Sequence, residues 1–115
     1  MYQFAVLAAL AVALSSGAAL AAETADPTRG LNYAKQHCAK CHGVEENDHS
    51  SPNSEAPTFK AVANSTGMSS TALTLWMQKP GLHHSMPEVI MPTDEQENVI
   101  AYILSLKNGA AGSKQ

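Results

Sequence analysis

The sequence predicts an all-α domain of three to four short helices. Apolar residues recur at helical spacing around 73–77 and 99–106. Capping residues precede these segments and breakers follow them. Outside the helical segments no stretch alternates apolar and polar residues with the two-residue period of a strand.

The domain is preceded by a leader. An apolar run from Phe4 to Leu14 is followed by small residues that present Ala19-Leu20-Ala21 as an A-x-A cleavage site. Residues 1–21 are therefore read as an export signal, cut after Ala21 or Ala22. Against this, no Lys or Arg precedes the run. An uncleaved membrane anchor is the alternative, and the run falls short of the roughly 18 residues a span needs. Residues 22–108 form one small domain, and the tail 109–115, GAAGSKQ after Asn108, is expected to be disordered. The signal carries no charged residue, so the exported chain keeps the formal net charge of −3, which argues against nucleic acid as a partner.

The first helix starts at Asp26-Pro27-Thr28, a capping residue followed by proline at the first helical position, and is expected to run on to His42. Gly30 lies inside it, where glycine costs stability and marks either a tolerated defect or the close approach of another backbone. Residues 43–57 are polar, acidic and rich in turn formers, which predicts a surface loop; Glu45, Glu46, Asp48 and Glu55 form its solvated edge or a site for a basic partner. Phe59–Ala63 is a short helical candidate. Ser69 or Ser70 caps a helix that buries Leu73, Trp76 and Met77 and stops before Pro80-Gly81. In the last helix Thr93 and Gln96 are expected to form a capping box, with Asp94 and Glu95 favouring the helix dipole. Val99, Ile100, Ile103, Leu104 and Leu106 supply its apolar face, and Asn108-Gly109 ends it.

Both cysteines of the chain fall within CAKCH, residues 38–42. A disulfide between Cys38 and Cys41 would close a tiny loop and constrain the unfolded chain little, so a structural staple explains the placement poorly. On a helix, residues three and four apart share a face, which sets Cys38, Cys41 and His42 on one side. C-x-x-C-H is the attachment signature of c-type haem, in which two thiols bond the porphyrin and the histidine reaches the iron. A thioredoxin-like redox pair would need a surrounding βαβ pattern, which is absent. A structural zinc site would need four ligands, and His37, His49, His83 and His84 form no second ligand pair. Chance occurrence of the motif is the remaining alternative.

With Gly30 and Tyr33 before CAKCH, APTF at 56–59, SMP at 85–87 and AYILSL at 101–106, the chain resembles the small bacterial class I c-type cytochromes, which carry one haem bound by histidine and methionine. The resemblance covers most of the exported chain. It implies the cytochrome c-like fold, with short helices around one covalently attached haem c and the first and last helices crossing, Gly30 and Tyr33 lying against the region of Tyr102. It also implies that the carbonyl of Pro57 orients the ring of His42, the proximal axial ligand. Similar cytochromes carry the distal ligand on an extended loop well before the aromatic residue of the last helix. Met86, sixteen residues before Tyr102, matches that place, whereas Met91 is eleven before it. Met91 also stands two residues before Thr93, with little chain for reaching across a haem. Met86 is thus the expected distal ligand, with Met91 as the alternative and as pocket wall otherwise. Met68 is assigned to a loop and Met77 to the core. Phe59, Trp76, Leu82 and Val89 are candidate haem neighbours, each equally readable as ordinary core. His83 and His84 are read as surface residues, with a bis-histidine site as the alternative.

The function implied is that of a periplasmic electron carrier, not an enzyme, meeting redox proteins by transient electrostatic contact and acting as a monomer. Lys40, Lys60 and Lys79 are solvated lysines or a local positive ring at the haem edge. Two alternatives remain: a gas-binding or weakly peroxidatic haem protein whose methionine is displaced, and a cytochrome subunit of a larger oxidoreductase.

Overall fold

The computed structural model describes residues 24–79 and 86–108. The expectations for the leader and its cleavage, for Leu82, His83 and His84, and for the tail 109–115 lie outside the described residues. Four helices follow one another: α1 (Pro27–His37), α2 (Phe59–Ala63), α3 (Ser70–Gln78) and α4 (Thr93–Ser105). Among the described residues there is no strand, and no helix is long and apolar enough to cross a membrane.

Local chemistry accounts for most helix starts. The Asp26 carboxylate accepts from the amides of Thr28 and Arg29, and Pro27 follows at the first position. The hydroxyls of Thr58 and Ser69 do the same for α2 and α3, accepting from Ala61 at 3.1 Å and Ala72 at 3.2 Å. At α4 the expected capping box is absent: Pro92 occupies the cap position, Thr93 is already helical, and no side chain caps the end. Proline brings no side-chain acceptor, so Asp94 and Glu95 in the first turn remain as the favourable charges there.

α1 is also shorter than expected, ending at His37 instead of His42. The amides of Cys38 and Ala39 both donate to the carbonyl of Ala34, at 2.8 and 3.0 Å. Two donors on one acceptor break the regular i→i−4 ladder and end the helix.

The core is built where α1 packs on α4. Ala34 and Val99 are fully buried at its centre, with Ile100, Tyr102, Ile103 and Leu106 from α4, Phe59 and Ala63 from α2 and Leu73 from α3 around them. Gly30 is the point of closest approach: a Cβ there would stand 2.0 Å from the Asn98 carbonyl oxygen and 2.9 Å from Tyr102 Cβ. Tyr33 is half-buried against the same core, its ring 4.2 Å from that of His37. Asn98, the buried polar side chain of α4, accepts from the Asp26 amide at 2.7 Å, and Arg29 pairs with Glu95 at 3.5 Å. At the far end of α4, Asn64 donates to the Leu106 carbonyl and accepts from the Asn108 amide, tying α2 to the helix terminus.

Two side chains depart from their expected placing. Trp76 is 41 % exposed, so α3 buries Leu73 and part of Met77 but not the indole, and an ordinary core role for Trp76 is ruled out. Met68, expected in a loop, does lie between helices yet is a core residue, 6 % exposed. Short connections in a small domain bring even loop side chains under the helices.

Candidate functional site

The CAKCH segment forms one hydrogen-bonded turn beyond α1. The amides of Cys41 and His42 both donate to the Cys38 carbonyl, at 3.1 and 3.0 Å, which keeps all three chemistry-bearing residues within a single turn although the helix has ended. Both cysteines are free thiols and half-buried. Burial pushes the Cys38 thiol up to about 11, because the thiolate would be poorly solvated there.

The His42 ring is held by its surroundings. Nδ1–H donates to the Pro57 carbonyl at 2.7 Å, and the ring centroid lies 5.4 Å from that of buried Phe59, tilted by 50°. A histidine whose Nδ1 proton is engaged presents Nε2 as the coordinating nitrogen, with its tautomer fixed and its basicity raised.

The loop after His42 has no regular secondary structure, as its composition predicts, but it is not loose. The Gly43 amide donates to Ser51 Oγ at 2.9 Å, the Asn53 amide to the Cys41 carbonyl at 3.1 Å, and the Phe59 amide to the Gly43 carbonyl at 2.8 Å. The Tyr102 hydroxyl donates to the Val44 carbonyl, joining the loop to α4. Burial raises the pKa of Tyr102, and Glu45, Glu46 and Asp48 nearby raise it further. On the acidic edge of the loop Glu45, Glu46 and Glu55 are exposed, while Asp48 is half-buried and its carboxylate accepts from the Glu45 amide at 2.9 Å; the exposed pair between Lys35 and Glu45 at 3.2 Å contributes little. A polar cleft of about 460 Å³ lies beside the loop, lined by Lys35, His42, Gly43, Asp48, Ser51 and Pro52 among others.

The methionines are distributed unequally. Met77 and Met91 are half-buried and pack against the core cluster, and Met68 belongs to it. Met86 sits half-buried at a bend that opens the stretch 86–92 before α4. Val89 is half-buried and Pro87 exposed. Leu75, Trp76 and Ile90 are large apolar side chains at 43 %, 41 % and 87 % exposure. Among the described residues no three or more His, Cys, Asp or Glu side chains come together to hold a metal, so the zinc reading finds no ligand set there.

A family model described as Cytochrome c matches residues 27–107, which takes in all four helices and the CAKCH turn. The chain belongs to the cytochrome c family. Comparisons with curated proteins and with solved structures returned no match.

As a cytochrome c it adopts the all-α fold of that family and carries covalently attached haem c, in keeping with haem-based electron transfer. The residues present fit that group. Cys38 and Cys41 share one turn with a histidine whose Nδ1 is already engaged and whose ring lies 5.4 Å from that of buried Phe59. Sequence reasoning missed the hydroxyls of Ser51 and Tyr102 and the amide of Asn98. Gly43 directly after the histidine was the available signal, since a missing side chain there invites the loop to fold back.

Proposed function

We propose that this cytochrome c is a periplasmic electron carrier, passing single electrons between respiratory or dehydrogenase partners. In this reading Cys38 and Cys41 form the thioether links, His42 is the proximal axial ligand and Met86 the distal one. Bound haem supplies a one-electron ferric/ferrous couple whose potential depends on its axial ligands and its burial. The observation that carries the reading is the 2.7 Å bond from His42 Nδ1 to the Pro57 carbonyl within the turn that also holds both thiols. It leaves Nε2 as an oriented neutral donor, and it strengthens that donor.

Met86 is preferred over Met91 because Met91 is engaged against the protein core, next to the start of α4, and its withdrawal would leave a gap there. A thioether is a soft, neutral ligand that favours ferrous iron and raises the potential. Two protein ligands would keep the coordination constant, which suits electron transfer and not ligand capture. Phe59 supports the His42 ring, and Trp76 is a candidate to cover the porphyrin. The apolar leader supports export, and a net charge of −3 suits brief, charge-steered contacts with redox proteins.

The test is spectroscopic. Protein purified after export should stain for haem on a denaturing gel, show a sulfur-to-iron band when oxidised, and give a ferrous spectrum unmoved by carbon monoxide. Rapid carbon monoxide binding would replace the carrier reading by the gas-binding one, and a stable complex on gel filtration would favour an oxidoreductase subunit.

A further inference from the structure

We infer that Ser51 is a positioning residue for the axial imidazole, acting through the backbone of Gly43. The inference rests on His42 being the proximal ligand, as proposed above. The bond from His42 Nδ1 to the Pro57 carbonyl spans 15 residues of chain, so its length depends on how the loop between them closes. That closure is made at Cys41, whose carbonyl accepts from the Asn53 amide at 3.1 Å, and at Gly43, the residue after the ligand. The Gly43 carbonyl accepts from the Phe59 amide at 2.8 Å, which fixes the segment carrying Pro57. Its amide donates to Ser51 Oγ at 2.9 Å, which fixes the loop's middle. A Cβ on Gly43 would stand 2.6 Å from the Ser50 carbonyl oxygen and 2.9 Å from Asp48 Cβ, so the loop lies directly against this peptide. Ser51 is thus the side chain that holds the peptide joining His42 to the rest of its support.

The polar cleft beside this contact, lined by His42, Gly43 and Ser51, separates a positioning role from a merely structural one. Were the hydroxyl removed, water entering from the cleft would satisfy the Gly43 amide, so the fold would lose little. A mobile water does not hold the peptide in place. The Pro57 carbonyl would then sit less firmly on Nδ1, the imidazole would donate less electron density, and the ferric state would be less stabilised. The cleft also has room for the extra methyl of threonine.

The experiment compares Ser51→Ala and Ser51→Thr in the intact haem protein, reading the exchange rate of the His42 Nδ1 proton by NMR and the reduction potential by redox titration. Ser51→Ala should speed exchange by up to about fivefold, the ceiling set by one ordinary hydrogen bond, and move the potential upward. Ser51→Thr should restore both. Unchanged exchange and potential in Ser51→Ala, or a Ser51→Thr protein that behaves like the alanine variant, would overturn the assignment. If the alanine variant does not retain haem, retention in the threonine variant supports the assignment and loss in both overturns it. A parent protein lacking an axial imidazole signature would overturn the His42 reading itself, and this inference with it, before any Ser51 variant is compared.

Discussion

Replacing Gly30 by alanine sets two physical effects against each other, and their sizes decide the sign. In a helix interior alanine is favoured over glycine by about 1 kcal/mol. In this protein the new Cβ would stand 2.0 Å from the Asn98 carbonyl oxygen, 2.5 Å from its carbon and 2.9 Å from Tyr102 Cβ. Two of those atoms are backbone of α4 and cannot swing away, so α1 and α4 must part by roughly 1 Å, and overpacking of this kind costs about 2–3 kcal/mol. Parting also stretches the Asp26–Asn98 hydrogen bond, worth about 1 kcal/mol. The net loss is ~2–3 kcal/mol, which for a domain of this size lowers the melting temperature by about 10–20 °C. Urea unfolding of the haem protein followed by circular dichroism measures it as a lower midpoint at unchanged slope. A Gly30→Ala protein as stable as its parent, or more stable, would refute the close packing of α1 on α4.

Met86→Ala should lower the reduction potential by on the order of 0.1 V or more, within the ~0.8 V that axial ligation spans, and let carbon monoxide bind. Met91→Ala should cost stability with little change in potential, and the reverse order in redox titration would transfer the ligand role to Met91. Replacing Cys38 or Cys41 by alanine should leave a single thioether and reduce haem retained on a denaturing gel, while His42→Ala should reduce it further. Tyr102 carries the pH prediction. Its folded pKa is raised above the ordinary 10.0, so the folded chain holds this proton more tightly, and the associated stability is complete below pH 10.0 and lost as pH rises through the folded value. Tyr102→Phe should cost about 1 kcal/mol at neutral pH through the lost bond to Val44, and should remove this part of the alkaline decline. An identical alkaline slope in both proteins, measured by urea midpoints, would count against it.

Much of the architecture was legible because it is written in local chemistry. Asp26-Pro27 and Ser69 cap their helices through contacts within three residues, and the α4 face at Val99, Ile100 and Ile103 follows from spacing alone. The misreadings arose where local rules compete. The sequence from Pro27 to His42 contains no breaker strong enough to announce that α1 stops at His37, where Ala34 accepts two amides. Thr93 and Gln96 have the letters of a capping box, but Pro92 takes the cap position. Trp76 shares the spacing of Leu73 and Met77 yet remains exposed, because periodicity names a face and not what lies against it.

By itself the sequence determined the chemistry of the site, since C-x-x-C-H places two thiols and an imidazole within five residues whatever the rest of the chain does. What only the tertiary structure decided is how that chemistry is held. The Ser51 hydroxyl on the Gly43 amide, the Tyr102 hydroxyl on Val44 and the Asn98 side chain on the Asp26 amide join residues apart in the chain. Such contacts depend on loop closure and helix packing, and no periodicity or local propensity encodes them.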